Sequence, residues 1–555
     1  MLNKLKKIID YFSPDKIDYL DQVVFNLNNN QCVISFRTNE EKYNRAITIN
    51  DELVFPYPVN RVEPRAFSNL SINRVLLPEG LNTIPNQCFC DSNINIVELP
   101  QSLKKLSIQS FLNLNATQII FPKDSDISYI PKACFANSNI KELHLPRKIT
   151  KMHKESFTGF KSTTLTIPES IEIIEEDVFF KSEIDYLILP KTLKQLSKKA
   201  FHKFKSKKLI IPEGIEVIPD NAFSESEIDY LILPKSLKQL SNKTFHKFKS
   251  KKLIIPEGIE VIPNDAFSES EIDYFVLPES IKHIGENAFQ QFKTKKLIIP
   301  EGVEVIPNSA FYRSKIDCFI LPSKLKYIGE NAFELFCTRK LFIPKGVEYV
   351  RKNTFSNSQI EYLILPITVK DIAISAFNGL KTKLLAIPKG VSNISDNTFY
   401  DAKIELLVIS GLIGSISNNA FNLFHGTVLI QENNSKVKNH IMNLHHRWYT
   451  TNKLKYFNNI DPYNDLRLLN SLTMSEIKQI ENVLQNPLLP INFAYRKKSI
   501  SVMIKDKKTK QNIEKDMPNS LLGRFFSHIT LKKVKAIHQL IDNQNDETNE
   551  TKCKQ

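Results

Sequence analysis

Glycine is scarce, 14 residues in 555, which leaves little material for glycine-rich loops that cradle phosphates. No GxGxxG, Walker-type loop, HExxH or GxSxG motif occurs either. The seven cysteines (32, 88, 90, 134, 318, 337 and 553) are an odd number without CxxC pairing or zinc-ligand spacing. That argues against a disulfide framework or metal finger and for free thiols in a reducing compartment. No apolar run reaches the ~18 residues that a spanning helix needs. The N-terminus starts basic, but Asp10, Pro14 and Asp15 interrupt any leader core and no small-residue cleavage site follows. The expectation is a chain without classical signal peptide or transmembrane segment, cytoplasmic or delivered into a host cell. Leu2, Leu5, Ile8, Ile9 and Phe12 suit packing as an N-terminal cap better than a membrane-surface helix.

Hydrophobic residues at 42% and charged residues at 24% are ordinary globular values. What organises them is a clock. From Pro78 to Pro388 prolines recur every 22 residues, with a single interval of 24 between Pro122 and Pro146. Seventeen phenylalanines from Phe67 to Phe421 keep the same beat. A fixed period in the twenties marks units that cannot bury an apolar face alone and must stack. One unit reads Ile184, Leu187, Leu189, Pro190, Leu193, Leu196, Ala200, Phe201. The spacing predicts a short strand ended by Pro190, then a turn or second extended piece through Leu193 and Leu196, with Phe201 filling the far side of the core. Every coil is expected to spend its apolar residues inward. A 44-residue super-period overlies the 22: residues 183–226 and 227–270 differ at only five of 44 positions, so the array grew by duplication.

The LxxLxL core followed by Pro, and the closing Ala-Phe, resemble the BspA-like leucine-rich repeats over about two thirds of the chain. The resemblance implies a leucine-rich-repeat solenoid with one short parallel β-strand per 22-residue coil. Members are surface or host-interacting proteins of bacteria and protists, with related arrays in large viruses, so it also implies binding or adhesion. This sequence departs from the ordinary leucine-rich pattern in having no buried Asn ladder, and from the surface members in having no recognisable signal peptide.

With Leu187 and Leu189 inward, Tyr186 and Ile188 face out, and their equivalents form columns about 4.8 Å apart per rung. Four residues before each proline stand Tyr186, Lys208, Tyr230, Lys252, Tyr274, Lys296, Cys318, Lys340 and Tyr362; two before it come Ile188, Ile210, Ile232, Ile254 and their successors. An apolar stripe flanked by Tyr and Lys marks a contact surface. The expected partner-binding set is therefore Tyr186, Ile188, Lys208, Ile210, Tyr230, Ile232, Lys252, Ile254, Tyr274, Lys296 and Tyr362. Five before the prolines, Asp185, Lys207, Asp229, Lys251, Asp273 and Lys295 alternate in sign, which reads as structural register rather than an acid/base site.

The repeat fades after Phe421, and residues 435–555 carry 21 Lys+Arg against 11 Asp+Glu, a large share of the net +15. Thr473 and Glu476 form a capping box, and a second helical stretch spans about 520–542. Arg496, Lys497, Lys498, Lys505, Lys507, Lys508 and Lys510 form a basic run suited to phosphates. The expected organisation is an N-terminal cap of helix and short strands over 1–54, a solenoid of about seventeen coils over 55–430, a basic, mainly helical domain over 431–542 and a disordered tail over 543–555. The expected function is a non-catalytic protein-interaction scaffold needing no cofactor, metal or small-molecule substrate. The alternatives are a host-directed effector with an unrecognised C-terminal activity, and a binder of nucleic acid or anionic membrane through the basic run.

Overall fold

A computed structural model describes residues 24–28, 31–35, 48–54, 62, 64–77, 79–431, 434–443 and 453–457. Each coil lays down one strand of six or seven residues, turns after its proline, adds a two-residue strand and closes through a turn carrying the phenylalanine. In the coil that begins with strand Glu183–Ile188 the second piece is extended, Gln195–Leu196. Ile184, Leu187, Leu189, Leu193, Leu196, Ala200 and Phe201 are all buried.

The long strands pair in parallel, rung to rung in single file, into one sheet of nineteen. Thr48–Val54 stands at one end, paired with Ser71–Leu76, and Lys453–Phe457 at the other, paired with His425–Gln431. The sheet thus passes the expected limits of 55 and 430 at both ends. Val24–Asn28 and Gln31–Ser35 form an antiparallel hairpin. Past the last repeat, helix Ser435–Asn443 buries Val437 and Ile441, and Asn434 donates from Nδ2 to the Gly411 oxygen at 2.8 Å. The expected N-terminal helix, the helices near 473–484 and 520–542, the basic run 496–510 and the tail lie outside the described residues.

Opposite the sheet the seventeen phenylalanines form one unbroken column. From Phe67–Phe89 at 5.1 Å to Phe399–Phe421 at 5.1 Å every consecutive pair of rings is stacked, with Phe333–Phe355 at 5.7 Å among the widest. Centroid distances of this size suit offset stacking, so each ring is held on both faces. The 24-residue coil leaves the column intact, since Phe111 and Phe135 stack at 5.1 Å. Its two extra residues sit in the loop between Pro122 and strand Tyr129–Ile130, and Ile127 keeps the buried place that Leu103 and Ile149 hold in the neighbouring coils.

The 44-residue super-period is structural as well. The two-residue strands do not form a continuous sheet; they join in twos, Val217–Ile218 with Gln239–Leu240 and Val261–Ile262 with His283–Ile284, for example. Five consecutive pairings, from Ile173–Ile174 with Gln195–Leu196 to Tyr349–Val350 with Asp371–Ile372, are clasped by an ion pair, Glu216–Lys238 at 2.6 Å and Glu260–Lys282 at 2.8 Å among them. On the long sheet the complementary junctions carry the other clasp, Asp185–Lys207 and Asp229–Lys251, both at 2.8 Å. There Ser206 and Ser250 also donate to the Asp185 and Asp229 main-chain oxygens, at 3.0 and 3.1 Å. Between Glu172 and Lys326 the two clasps alternate along the stack.

A second alternation lies three residues past the phenylalanines, where Phe204, Phe248 and Phe292 alternate with Ser182, Ser226, Ser270 and Ser314. All are buried. Ser226 donates to the Phe201 oxygen and accepts from the Phe204 N–H, and Ser270 repeats this with Phe245 and Phe248. A buried main-chain group left without a partner costs about 1–3 kcal/mol. The serine ladder supplies such a partner at every second coil.

Candidate interaction surface

The outer face of the long sheet departs from strict alternation. Ile184 and Leu187, three residues apart, both point inward, so Asp185 and Tyr186 both point outward, followed by Ile188. The coil of Glu183–Ile188 therefore shows four outward side chains, and their files run along the stack.

Tyr186 (45% exposed), Ile188 (51%), Ile210 (48%), Tyr230 (48%) and Ile232 (46%) share this face. Lys208 and Lys296 are exposed with them. Lys252 and Ile254 are half-buried, the Lys252 ammonium lying 5.5 Å from the centre of the Tyr274 ring. Burial raises the Tyr274 phenol above its ordinary range. The structure thus brings together all but one of the expected residues. Tyr362 is the exception: it is buried, because its neighbour along the file is Leu384 instead of a lysine and the ammonium groups of Lys340 and Lys383 close over its ring, each at 5.7 Å. The file ends there, since Leu384 and Leu406 beyond it are buried too.

The expectation that every apolar residue turns inward fails on the second ribbon. Ile173, Val217, Val261 and Val305 all lie in the open at 44-residue intervals. In a two-residue strand only one side chain can face the core, and Ile174, Ile218, Ile262 and Ile306 take that place. The sequence signal was available in the Val-Ile pair of each EVIP segment.

Near the N-terminal end the outer face changes character. A shallow groove of about 560 Å³ is lined by Asn73, Asn93, Asn95, Asn115, Asn139 and Lys141 among others. Its amides bond to one another, Asn115 to Asn93 at 2.9 Å, Asn139 to Asn115 at 3.1 Å and Asn95 to Asn73 at 3.0 Å. The repeat pattern did not disclose this patch because asparagine is common throughout the chain.

Three buried thiols are quiet. Burial pushes the Cys88 and Cys134 thiols far above the ordinary range and, with the hydrogen bond to Asp91, pushes Cys90 up to about 12. A thiolate nucleophile is disfavoured at all three. Burial also lowers the His202 and His246 imidazoles below their usual range, although Glu225 and Glu269 face them. Among the described residues no three His, Cys, Asp or Glu side chains converge as a metal site, and no helix is long and apolar enough to cross a membrane.

The sequence model of the BspA type leucine rich repeat region (6 copies) matches residues 41–164, 152–273, 238–360 and 349–458. No curated protein matches the chain. Among solved structures it is similar to a leucine-rich repeat protein from Bacteroides ovatus, 19% identical, covering 65% of this chain and 93% of that one with a TM-score of 0.45. The pneumococcal vaccine antigen PcpA is 17% identical over 69% of this chain and 94% of its own, TM-score 0.36. A leucine rich cell surface protein from Faecalibacterium prausnitzii is 17% identical over 75% and 95%, TM-score 0.27.

Proposed function

Given that the chain belongs to the BspA-type leucine-rich repeat family, we propose that it is a non-catalytic scaffold that holds a protein partner on the outer face of its long sheet. Repeat proteins of this class commonly bind other proteins, on the extended surface that stacking creates. The observation that carries the reading is the exposed file Ile188, Ile210 and Ile232 beside Tyr186 and Tyr230. A continuous apolar strip left in water is unfavourable unless something covers it, and tyrosine supplies contact area with little conformational entropy to lose.

The test compares the full chain with a Tyr230→Ser/Ile232→Ser/Tyr274→Ser variant in affinity capture. Because these side chains are exposed, the variant should fold as the wild type does, checked by circular dichroism. It should retain a tenth or less of the captured partner. Wild-type capture by a folded variant refutes the reading.

The excess of cations in residues 435–555 supports a second, separate activity: attraction of a phosphate-bearing surface or nucleic acid through Arg496, Lys497, Lys498, Lys505, Lys507, Lys508 and Lys510. Retention on anionic vesicles or single-stranded nucleic acid should then fall steeply between about 50 and 200 mM salt. Salt-insensitive retention argues against it.

A further inference from the structure

Three charged files cross the outer face between residues 183 and 298, and two of them cancel. In the first, Glu183, Lys205, Glu227, Lys249, Glu271 and Lys293 stand opposite one another in register. In the second, Asp185, Asp229 and Asp273 hold Lys207, Lys251 and Lys295. The third file contains no acid at all: tyrosine alternates with Lys208, Lys252 and Lys296, and Lys340 continues it. Among the described residues none of these four lysines has a carboxylate partner, and Lys252 and Lys340 lie over the rings of Tyr274 and Tyr362. Between residues 183 and 298 the face thus presents surplus positive charge only at every second rung, about 10 Å apart, beside the isoleucine strip.

On the reading of this face as a binding surface, we propose that its occupant is an extended acidic polypeptide lying along the stack, with a carboxylate at every third residue and apolar side chains between. In the extended polyproline II conformation three residues span about 9 Å and bring every third side chain to the same side, close to the spacing of the surplus lysines. A polyanion charged more densely, such as a nucleic acid strand, would set some of its charges against the Glu and Asp bands on the intervening rungs. A polysaccharide offers no alkyl side chains to Ile188, Ile210 and Ile232, whereas a peptide does.

The experiment uses the full chain and three probes: a fluorescein-labelled peptide of five Glu-Val-Thr repeats, an isomer of the same composition with its five glutamates contiguous, and a heparin fragment. Binding is read by fluorescence anisotropy. The spaced peptide should bind at least tenfold more tightly than the isomer. It should weaken tenfold or more on a Lys208→Gln/Lys252→Gln/Lys296→Gln/Lys340→Gln variant and keep its affinity when the same four lysines become arginine. Equal binding of the two peptides, absence of binding by either, or tighter binding of heparin overturns the proposal. If the Lys→Gln variant still captures the cellular partner while Tyr230→Ser/Ile232→Ser/Tyr274→Ser does not, the acidic occupant is wrong and the face is right. If neither variant loses capture, both readings fall.

Discussion

Phe223→Ala is expected to destabilise the solenoid by about 3–5 kcal/mol. The Phe223 ring is fully buried and stacks on Phe201 at 5.3 Å and on Phe245 at 5.5 Å, with interplanar angles of 5° and 8°. Its removal costs the transfer of a phenyl group from water, leaves a cavity that rigid neighbouring coils cannot close, and exposes two ring faces at once. In a quasi-one-dimensional array the damage has a further consequence, because cooperativity passes only through nearest-neighbour contacts. A gap in the middle of the column should divide one unfolding transition into two, each with a smaller dependence on urea than the wild type. Circular dichroism during urea titration reads both effects. Phe223→Leu refills most of the space and should lose markedly less while keeping a single transition.

The same geometry explains what could be foreseen. The buried positions of the coil, among them Ile184, Leu187, Leu193 and Phe201, were legible because their spacing within one coil and their recurrence in the next together describe a shared core. The outward Tyr and Lys files followed from the strand that places Leu187 inside. Buried polar structure was not legible. Ser182, Ser226 and Ser270 have the composition of turn residues, and only the folded structure reveals that their hydroxyls sit between the main chains of adjacent coils. The turns were hidden for a related reason. Each coil needs two residues of positive φ around its phenylalanine, filled here by Asn221 (φ 55°) and Glu225 (φ 57°) rather than glycine. A left-handed conformation in a side-chain-bearing residue is unfavourable alone. It is held by hydrogen bonds to the next coil, Phe223 N–H to the Thr244 oxygen at 3.0 Å and Glu225 N–H to the His246 oxygen at 2.7 Å. Glycine scarcity therefore said nothing about how the chain turns. Tyr362 was misplaced because its environment depends on the next rung, where Leu384 breaks the alternation with lysine.

If two coils and not one form the cohesive unit, excising whole units and half units should have very different results. Deleting residues 227–270 removes 44 residues whose sequence nearly repeats 183–226. Lys205–Ile210 then meets Glu271–Val276 instead of Glu227–Ile232, and both clasps, the serine ladder and the phenylalanine column are rebuilt at the new junction. The shortened protein should fold and melt within a few degrees of the full chain. Deleting residues 227–248 removes one coil. That sets Lys205, Lys207 and Lys208 against Lys249, Lys251 and Lys252 on the sheet, and Glu216 against Glu260 on the second ribbon. Favourable cross-strand pairs worth about 0.2–1 kcal/mol each become repulsions of similar size. It also places Ser226 next to Ser270 where Phe248 had filled the core, leaving a void with the volume of a phenyl ring, for which about 3–5 kcal/mol is the usual cost. The half-unit deletion should therefore lose of order 5 kcal/mol relative to the full-unit deletion, although its chain is 22 residues longer and its array one coil taller. Equal stability of the two in urea would mean that the 22-residue coil is the true building block and that the alternating clasps contribute nothing to coil order.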